Sequence, residues 1–568
     1  MRLFIKNLFL GSMFCVSGLL AESSVENRVE DFEYFWNAYK RSYVFFDLKK
    51  ADYGVDWDSI RDSFLKRVSE TQNDRELFAL ITEAQTLLRD GHCYNQAVDL
   101  LLKTEPMYLL QMQFAVVEGN RVAVAKLHPE SEAAQAGVKV GDELVQFGGK
   151  TIRQLARESR TLFAGSTESQ FWNSMVGSLF YHNPLLGKPK SPKINMVFRN
   201  SSGETINVDS RWLVIQPAQT QNSVSSFVDE GRGILLSDAQ RIEAEGALPM
   251  DVRVFTEENV GYIKIDTWMK HEDPKEQFEM AMTAVKDTDG LVLDMRGNGG
   301  GVSTWGVLFA NYFIAGSKEH PNQTVLERLL SETFFKVVFS GMKKEDLEPL
   351  LSSAEGIHAL LTQGLKEEID LEEVQSHFKS GEYREFYRVF GLNDRTNAVE
   401  TYTKPVYILM DGGSYSTTDI FITLMKEFGR ATTVGVHNGA GSGSPIPFVL
   451  PNSGLSVYVP HGRFFPPSGS MIEGRPLEPD IRVSQSSEDL AIGKDTALTV
   501  ALKALWEEIN PSMSGYSDSG FETGSSEVKY STIVSDETPW TRIPQPDWLI
   551  QSNLEAQMFQ DTKINLNQ

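Results

Sequence analysis

The chain reads as an α/β (α+β) multidomain protein, and three observations carry that reading. Apolar residues recur at three- and four-residue steps from 24 to 105, the pattern changes to period two from 106 to about 215, and strands alternate with helical stretches after 251. With 568 residues, 41% hydrophobic and 23% charged, the composition is globular and the length suits roughly three or four domains. A formal charge of -23 argues against nucleic acid as a partner, because phosphate backbones require clustered Lys and Arg.

The first segment, "MRLFIKNLFLGSMFCVSGLLAES", places Arg2 and Lys6 before an apolar stretch from Leu8 to Leu20 and then Ala21. This order predicts a signal peptide over 1–21 and a secreted or periplasmic mature chain. Its removal takes Cys15 away and leaves Cys93 alone, so no intramolecular disulfide forms. No later apolar run has membrane-spanning length, so the mature chain is expected to have no membrane span.

A helical domain over 22–105 follows from "VENRVEDFEYFWNAYKRSY", "WDSIRDSFLKRVSE" and "DRELFALITEAQTLLRDGH". In the next domain, 106–215, "QMQFAVVE" and "RVAVAKL" read as strands. They precede "SEAAQAGVKVGDELVQFGGKTI", which resembles the PDZ domains attached to bacterial proteases: a short helix, a turn with Gly141 and Asp142, a strand, and the Gly148-Gly149 turn. The resemblance implies a groove that takes an extended peptide as an added strand, with "MYLLQMQF" as its candidate binding loop. On turn chemistry alone, the same glycines also fit a hairpin in any α+β domain. Residues 216–250 are polar and Ser-rich, a linker. An α/β core is expected over 251–505, interrupted by a charged helical insertion at 317–400, and 506–568 read as an exposed tail.

Two turns in the core carry chemistry. "GLVLDMRGNGGGVSTWGVLFANYF" is a buried strand, a glycine turn and an apolar helix; Gly299, Gly300 and Gly301 let backbone N–H groups approach a bound atom. No Gly-Lys-Ser/Thr follows, so it is not a phosphate loop. The second, "MDGGSYSTTDIFITLMKEFG", is a tight strand-to-helix turn crowded with hydroxyls. Ser416 and Asp419 have capping-box spacing, which is the plainer local reading, while such a turn equally projects a serine beside helix N–H groups that receive an oxyanion.

The order of these pieces resembles the tricorn and C-terminal-processing serine peptidases, over roughly residues 75 to 485. The resemblance implies a cofactor-free serine endopeptidase acting on polypeptides, with Ser416 as nucleophile, Ser414 in the preceding non-nucleophilic place, and Gly299, Gly300 and the Thr417 N–H as oxyanion hole. One branch of the family uses a lysine after the nucleophile's helix, but Gly441 stands at that place. No lysine lies between Lys426 and Lys494, and Lys426 is more than ~10 Å along the helix from Ser416. The Ser-His-Glu branch fits instead: "LLRDGHCY" offers His92 as base and "SGSMIEGRPLEPDI" offers Glu473 as its orienting group. This chain has Gly474, Arg475 and Pro476 where Asn and Gly are usual. His437 and His461 are rival bases, and Glu473 by itself reads as a solvated charge among turn residues. Cys93 beside His92 reads as a buried thiol. Neither a HExxH motif nor a Cys-rich zinc site is present, so no metal is expected. The rival class is a catalytically silent PDZ-bearing protein that binds peptides on the same fold.

Overall fold

The computed structural model describes residues 23–217, 239–241, 250–268, 274–314, 325–330, 385–390 and 402–511. The expected signal peptide and most of the expected linker, insertion and tail lie outside these residues.

The helical period at the N-terminus becomes five helices, Val25–Ser42, Phe46–Tyr53, Trp57–Ser69, Asp74–Leu87 and Ala97–Leu102. Ser24, Asp56 and Asn73 cap three of them by accepting first-turn N–H groups, which satisfies donors that no helix can pair internally. Their apolar faces bring Phe32, Phe35, Trp36 and Tyr39 together, with Trp36 and Trp57 stacked at 3.9 Å. This core is not closed on itself. It also contains Ile446, Phe448, Val457 and Val459 from the antiparallel pair Pro445–Val449 and Ser456–Pro460, so the N-terminal helices share one interior with the far end of the chain. The Asp31 carboxylate fixes the same junction by accepting the N–H groups of Asn452 and Ser453, both at 2.8 Å. A deep apolar seam of this kind fixes relative position, because interiors packed to crystal-like density do not slide.

Residues 107–215 have a core of their own, built on the sheet order Met112–Val117, Arg121–Leu127, Glu143–Phe147, Lys193–Arg199, Thr205–Arg211. Lys150–Thr151 pairs back on Glu143–Phe147 across the Gly148-Gly149 turn, whose φ of 58° and 77° needs glycine. The segment "MYLLQMQF" is not an open loop. Met107–Leu109 pairs with Leu213–Ile215, so that part is engaged within the chain, while Met112 begins Met112–Val117, the edge strand of the sheet.

The second half of the chain centres on a seven-stranded sheet in the order Ile481–Arg482, Thr432–Gly435, Val406–Met410, Gly290–Asp294, Val260–Lys264, Asp251–Phe255, Ala239–Arg241. The first five are parallel and the last two join antiparallel. Gly290–Asp294 and Val406–Met410 are buried throughout, as expected of central strands covered on both faces. Helices Pro274–Val285, Ser303–Ile314 and Thr417–Glu427 share the core on one side of the sheet, while Thr496–Ile509 packs on Val292, Tyr407 and Leu409. That last helix runs past the expected boundary at 505. Two expectations need correction. Ala239–Arg241, inside the expected linker, is an edge strand, and the expected helical insertion contributes strands Val325–Leu330 and Glu385–Phe390, the first also paired with Gly462–Phe465. "EFYRVF" is rich in aromatic and β-branched residues, a bias that outweighs the charged helical character of its surroundings.

Candidate active site

In a parallel sheet, ligand sites form beyond the carboxyl ends of the strands. Here the ends of Gly290–Asp294 and Val406–Met410 deliver the glycine turn and the hydroxyl turn to one place, tied by Gly297 N–H to Asp411 Oδ1 at 2.8 Å and Tyr415 N–H to Asn298 O at 3.0 Å. Ser416 immediately precedes the helix Thr417–Glu427 and adopts φ 60°, a left-handed value that costs a residue with a Cβ roughly 1–3 kcal/mol. The turn is held there by Asp419, fully buried, which accepts from Ser416 N (2.8 Å), Asn438 Nδ2 (2.7 Å), Ala440 N (3.1 Å) and Gly441 N (2.8 Å). Asp419 thus makes its arm of the expected cap, while the Ser416 hydroxyl is turned elsewhere.

It faces His92, whose Nε2 lies 2.9 Å from Ser416 Oγ across 324 positions of sequence. His92 is held on its turn by its own N–H, which donates to Asp90 Oδ1 at 2.8 Å. Burial pushes the His92 imidazole down to about 4; the nearby Glu473 opposes this and Lys49 adds to it. Ser416 is half-buried, whereas Ser414 is fully buried, donates to Met295 O at 2.8 Å and accepts from Asp411 N. His437 lines a neighbouring cavity and pairs with Glu478 at 2.6 Å, and His461 bonds Ser444 O, so neither rival stands at Ser416. Cys93 is a buried free thiol, pushed upward by burial.

Glu473 departs from expectation. It is fully buried, not a solvated charge, and its carboxylate is bound by Lys49 Nζ at 2.7 Å and Ser442 N at 3.4 Å rather than by the imidazole. Oxygens of Glu473 and Asp90 and a ring nitrogen of His92 lie within 4.8 Å of one another, the one such cluster among the described residues that could surround an ion. The Lys49 ammonium already fills the carboxylate side. Burial disfavours that ammonium, but Glu473 and Asp90 outweigh burial and hold it above its ordinary pKa. Burial raises both carboxyls, Asp90 adds to the rise at Glu473, and Lys49 opposes the rise at each. The turn after Glu473 is anchored by Gly474 N–H to Ala440 O at 2.9 Å and by an Arg475–Asp52 pair at 2.7 Å.

The glycine turn is also only partly as expected. Gly300 N–H donates to Asn298 Oδ1 at 2.9 Å, so it is committed within the turn. Its value is steric: a Cβ there would fall 2.5 Å from Ser416 Cβ. Thr417 occupies the first position of the helix, where an N–H has no intrahelical acceptor. Sequence reasoning missed Lys49, Tyr415 and Ser166. Tyr415 Oη is 2.9 Å from His92 Nδ1, and Ser166 Oγ is 3.2 Å from Tyr415 Oη. A Cβ on Gly441 would lie 2.1 Å from the Tyr415 ring, so the place where the other branch carries its lysine is filled by Tyr415. Tyr415 sat inside the quoted hydroxyl turn and was legible there; nothing in "FFDLKKADYG" marks Lys49.

A strand-to-helix serine under strain with a histidine at hydrogen-bond distance is an arrangement in which the imidazole can take the hydroxyl proton. Residues 259–483 match Peptidase family S41 and residues 24–86 match the Tricorn protease C1 domain, the two segments that hold the hydroxyl turn and the N-terminal helices. Among curated proteins it is similar to one of Chlamydia pneumoniae, 24% identical over 273 residues, which are 43% of each chain. It is also similar to a carboxy-terminal-processing protease of Bartonella bacilliformis, 32% identical over 96 residues, 17% of this chain and 22% of that one. The chain thus spans less than half the length of these curated relatives. The structure of mature CPAF complexed with lactacystin has the same fold, with a TM-score of 0.62, 17% identity, and coverage of 86% of this chain and 99% of that one.

Proposed function

We propose that this protein is a secreted or periplasmic serine endopeptidase that hydrolyses polypeptides through an acyl-enzyme, with Ser416 as nucleophile, His92 as base and Glu473 as the charge behind the base. The observation that carries the reading is the 2.9 Å contact between Ser416 Oγ and His92 Nε2. As Oγ attacks the scissile carbonyl, its proton passes to Nε2; the same proton then goes to the departing amine, and a water repeats the sequence on the ester. The developing oxyanion is received by the Thr417 N–H and the Gly299 side of the glycine turn, reinforced by the positive end of the nucleophile helix. A histidine held near 4 is neutral at physiological pH, which a base requires. Residues 106–215 fit a PDZ-like role in engaging the polypeptide, and residues 1–21 fit an export signal.

The silent peptide-binding alternative draws its support from Glu473, which is bonded to Lys49 and not to His92. A fluorophosphonate probe separates the two readings. Covalent labelling of the full chain, abolished in Ser416→Ala, is expected of the enzyme; an unlabelled, folded wild-type chain would leave the binding protein.

A further inference from the structure

Transfer of the serine proton leaves an imidazolium, in which both ring nitrogens bear hydrogens. The Nδ1 hydrogen then needs an acceptor. Glu473 makes no hydrogen bond to the ring, and Asp90 Oδ1 is 3.9 Å from Nδ1, beyond hydrogen-bond reach. Two groups do touch Nδ1. Gly443 N, at 3.3 Å, is a donor in every protonation state and can only oppose a proton there. Tyr415 Oη, at 2.9 Å, has lone pairs as well as a proton.

We propose that Tyr415 is the positioning residue of the base: its hydroxyl accepts the His92 Nδ1 hydrogen and passes its own hydrogen bond to Ser166. The inference rests on the assignment of Ser416 and His92 above. The relay is built for it. Ser166 is buried, its Oγ stands 3.2 Å from Tyr415 Oη, and it also receives Gly91 N–H at 3.2 Å, one residue from His92. The Tyr415 ring packs against the imidazole at a tilt of 31° with centroids 4.5 Å apart and is clamped by Gly439 and Gly441, where a Cβ would overlap it. Burial keeps the phenol in its neutral, hydrogen-bearing form, so it orients the ring without taking the proton. Ser166 in turn lines a cavity of about 280 Å³ whose wall includes Arg89, Thr167 and His437. Within this arrangement Glu473 acts on the imidazolium through space, from beside Lys49.

Tyr415→Phe keeps the ring and its packing and deletes only the hydroxyl. Its loss should lower kcat on a p-nitrophenyl ester, and the rate of fluorophosphonate labelling, about ten- to a hundredfold with KM within about threefold, the effect of one hydrogen bond to a charged group. Ser166→Ala should lower kcat roughly two- to fivefold, as a neutral bond one step removed. Nitrogen-15 NMR of histidine-labelled protein gives a readout that packing alone would not move: His92 carries its hydrogen on Nδ1 in the wild type and shifts toward Nε2 in Tyr415→Phe, where Gly443 N–H is the donor left. A Tyr415→Phe variant labelled at the wild-type rate, or a wild-type His92 protonated at Nε2 and unchanged in the variant, would overturn the proposal. A wild-type chain that resists the probe would overturn the enzyme assignment first and this one with it.

Discussion

Lys49→Met is the perturbation that tests the buried cluster most directly. It removes an ammonium 2.7 Å from Glu473, with side-chain exposures of 1% and 0%, and leaves two buried carboxyls facing His92 without a cation. Removing one member of a buried pair costs about 3–5 kcal/mol, because the remaining charge has neither partner nor water. At roughly 2–4 °C per kcal/mol for a cooperative unit of a few hundred residues, the unfolding midpoint should drop by roughly 6–20 °C. The Lys49→Met, Glu473→Gln double variant should recover a large part of this, since the stranded charge goes with it. Lys49 also lowers the His92 pKa, so its removal should move the acid limb of the pH-rate profile upward from about 4. The assays are thermal unfolding of the wild type, both singles and the double, and ester hydrolysis against pH. A midpoint within about 2 °C of wild type in Lys49→Met, or strictly additive losses in the cycle, would refute the claim that Lys49 and Glu473 form one electrostatic unit.

Ser416→Ala should abolish turnover, while Ser414→Ala should keep the chemistry and lose about 1–3 kcal/mol of stability, because its hydroxyl serves Met295 O and Asp411 N; labelling and unfolding measured on both check this. His92→Ala should cost on the order of 10⁴ in turnover and His437→Ala less than about tenfold, read by steady-state kinetics. The His92 pKa, depressed from 6.5 to about 4, makes the unfolded chain bind the extra proton between those values, so its contribution to stability is present above 6.5 and lost as pH falls toward 4. It is worth about 3 kcal/mol, and subtracting the stability of His92→Gln from that of wild type at each pH isolates it from the oppositely shifted Asp90 and Glu473. Deleting 106–215 should lower ester hydrolysis at least as much as Ser166→Ala does, as well as proteolysis, because that segment supplies Ser166 to the relay and the Thr167 hydroxyl to Asn438 O at 3.0 Å; ester turnover at the wild-type rate would show the site complete without it.

The helices of 25–102 and the two strand-turn-helix units were legible because their signals are local. Three- and four-residue apolar steps in "DRELFALITEAQTLL" fix one buried face, and the "VYILM" and "GLVLD" runs have no solvent-facing period because both faces of those strands are covered. The strands at 325–330 and 385–390 were missed because their pairing partners are remote. Val325 lies opposite Phe390 and Phe465, and no window of sequence contains both.

The sequence by itself determined the turn chemistry: a serine before a helix, the glycines beside it, and the absence of a lysine where the other branch of the family needs one. Tertiary structure alone decided which histidine meets that serine. His92 reaches Ser416 because Phe32, Trp36 and Tyr39 bury against the distant Val457–Val459 strand and carry the turn after Asp74–Leu87 across the fold. It likewise decided that Tyr415 and not Glu473 touches the far side of the ring. Side chains from four separate segments compete for a few ångströms of desolvated space there, and Lys49, by the stronger attraction of opposite charges in a buried site, holds the carboxylate. Hydrogen-bond partners inside a core are settled by that competition, which depends on distances between residues hundreds of positions apart.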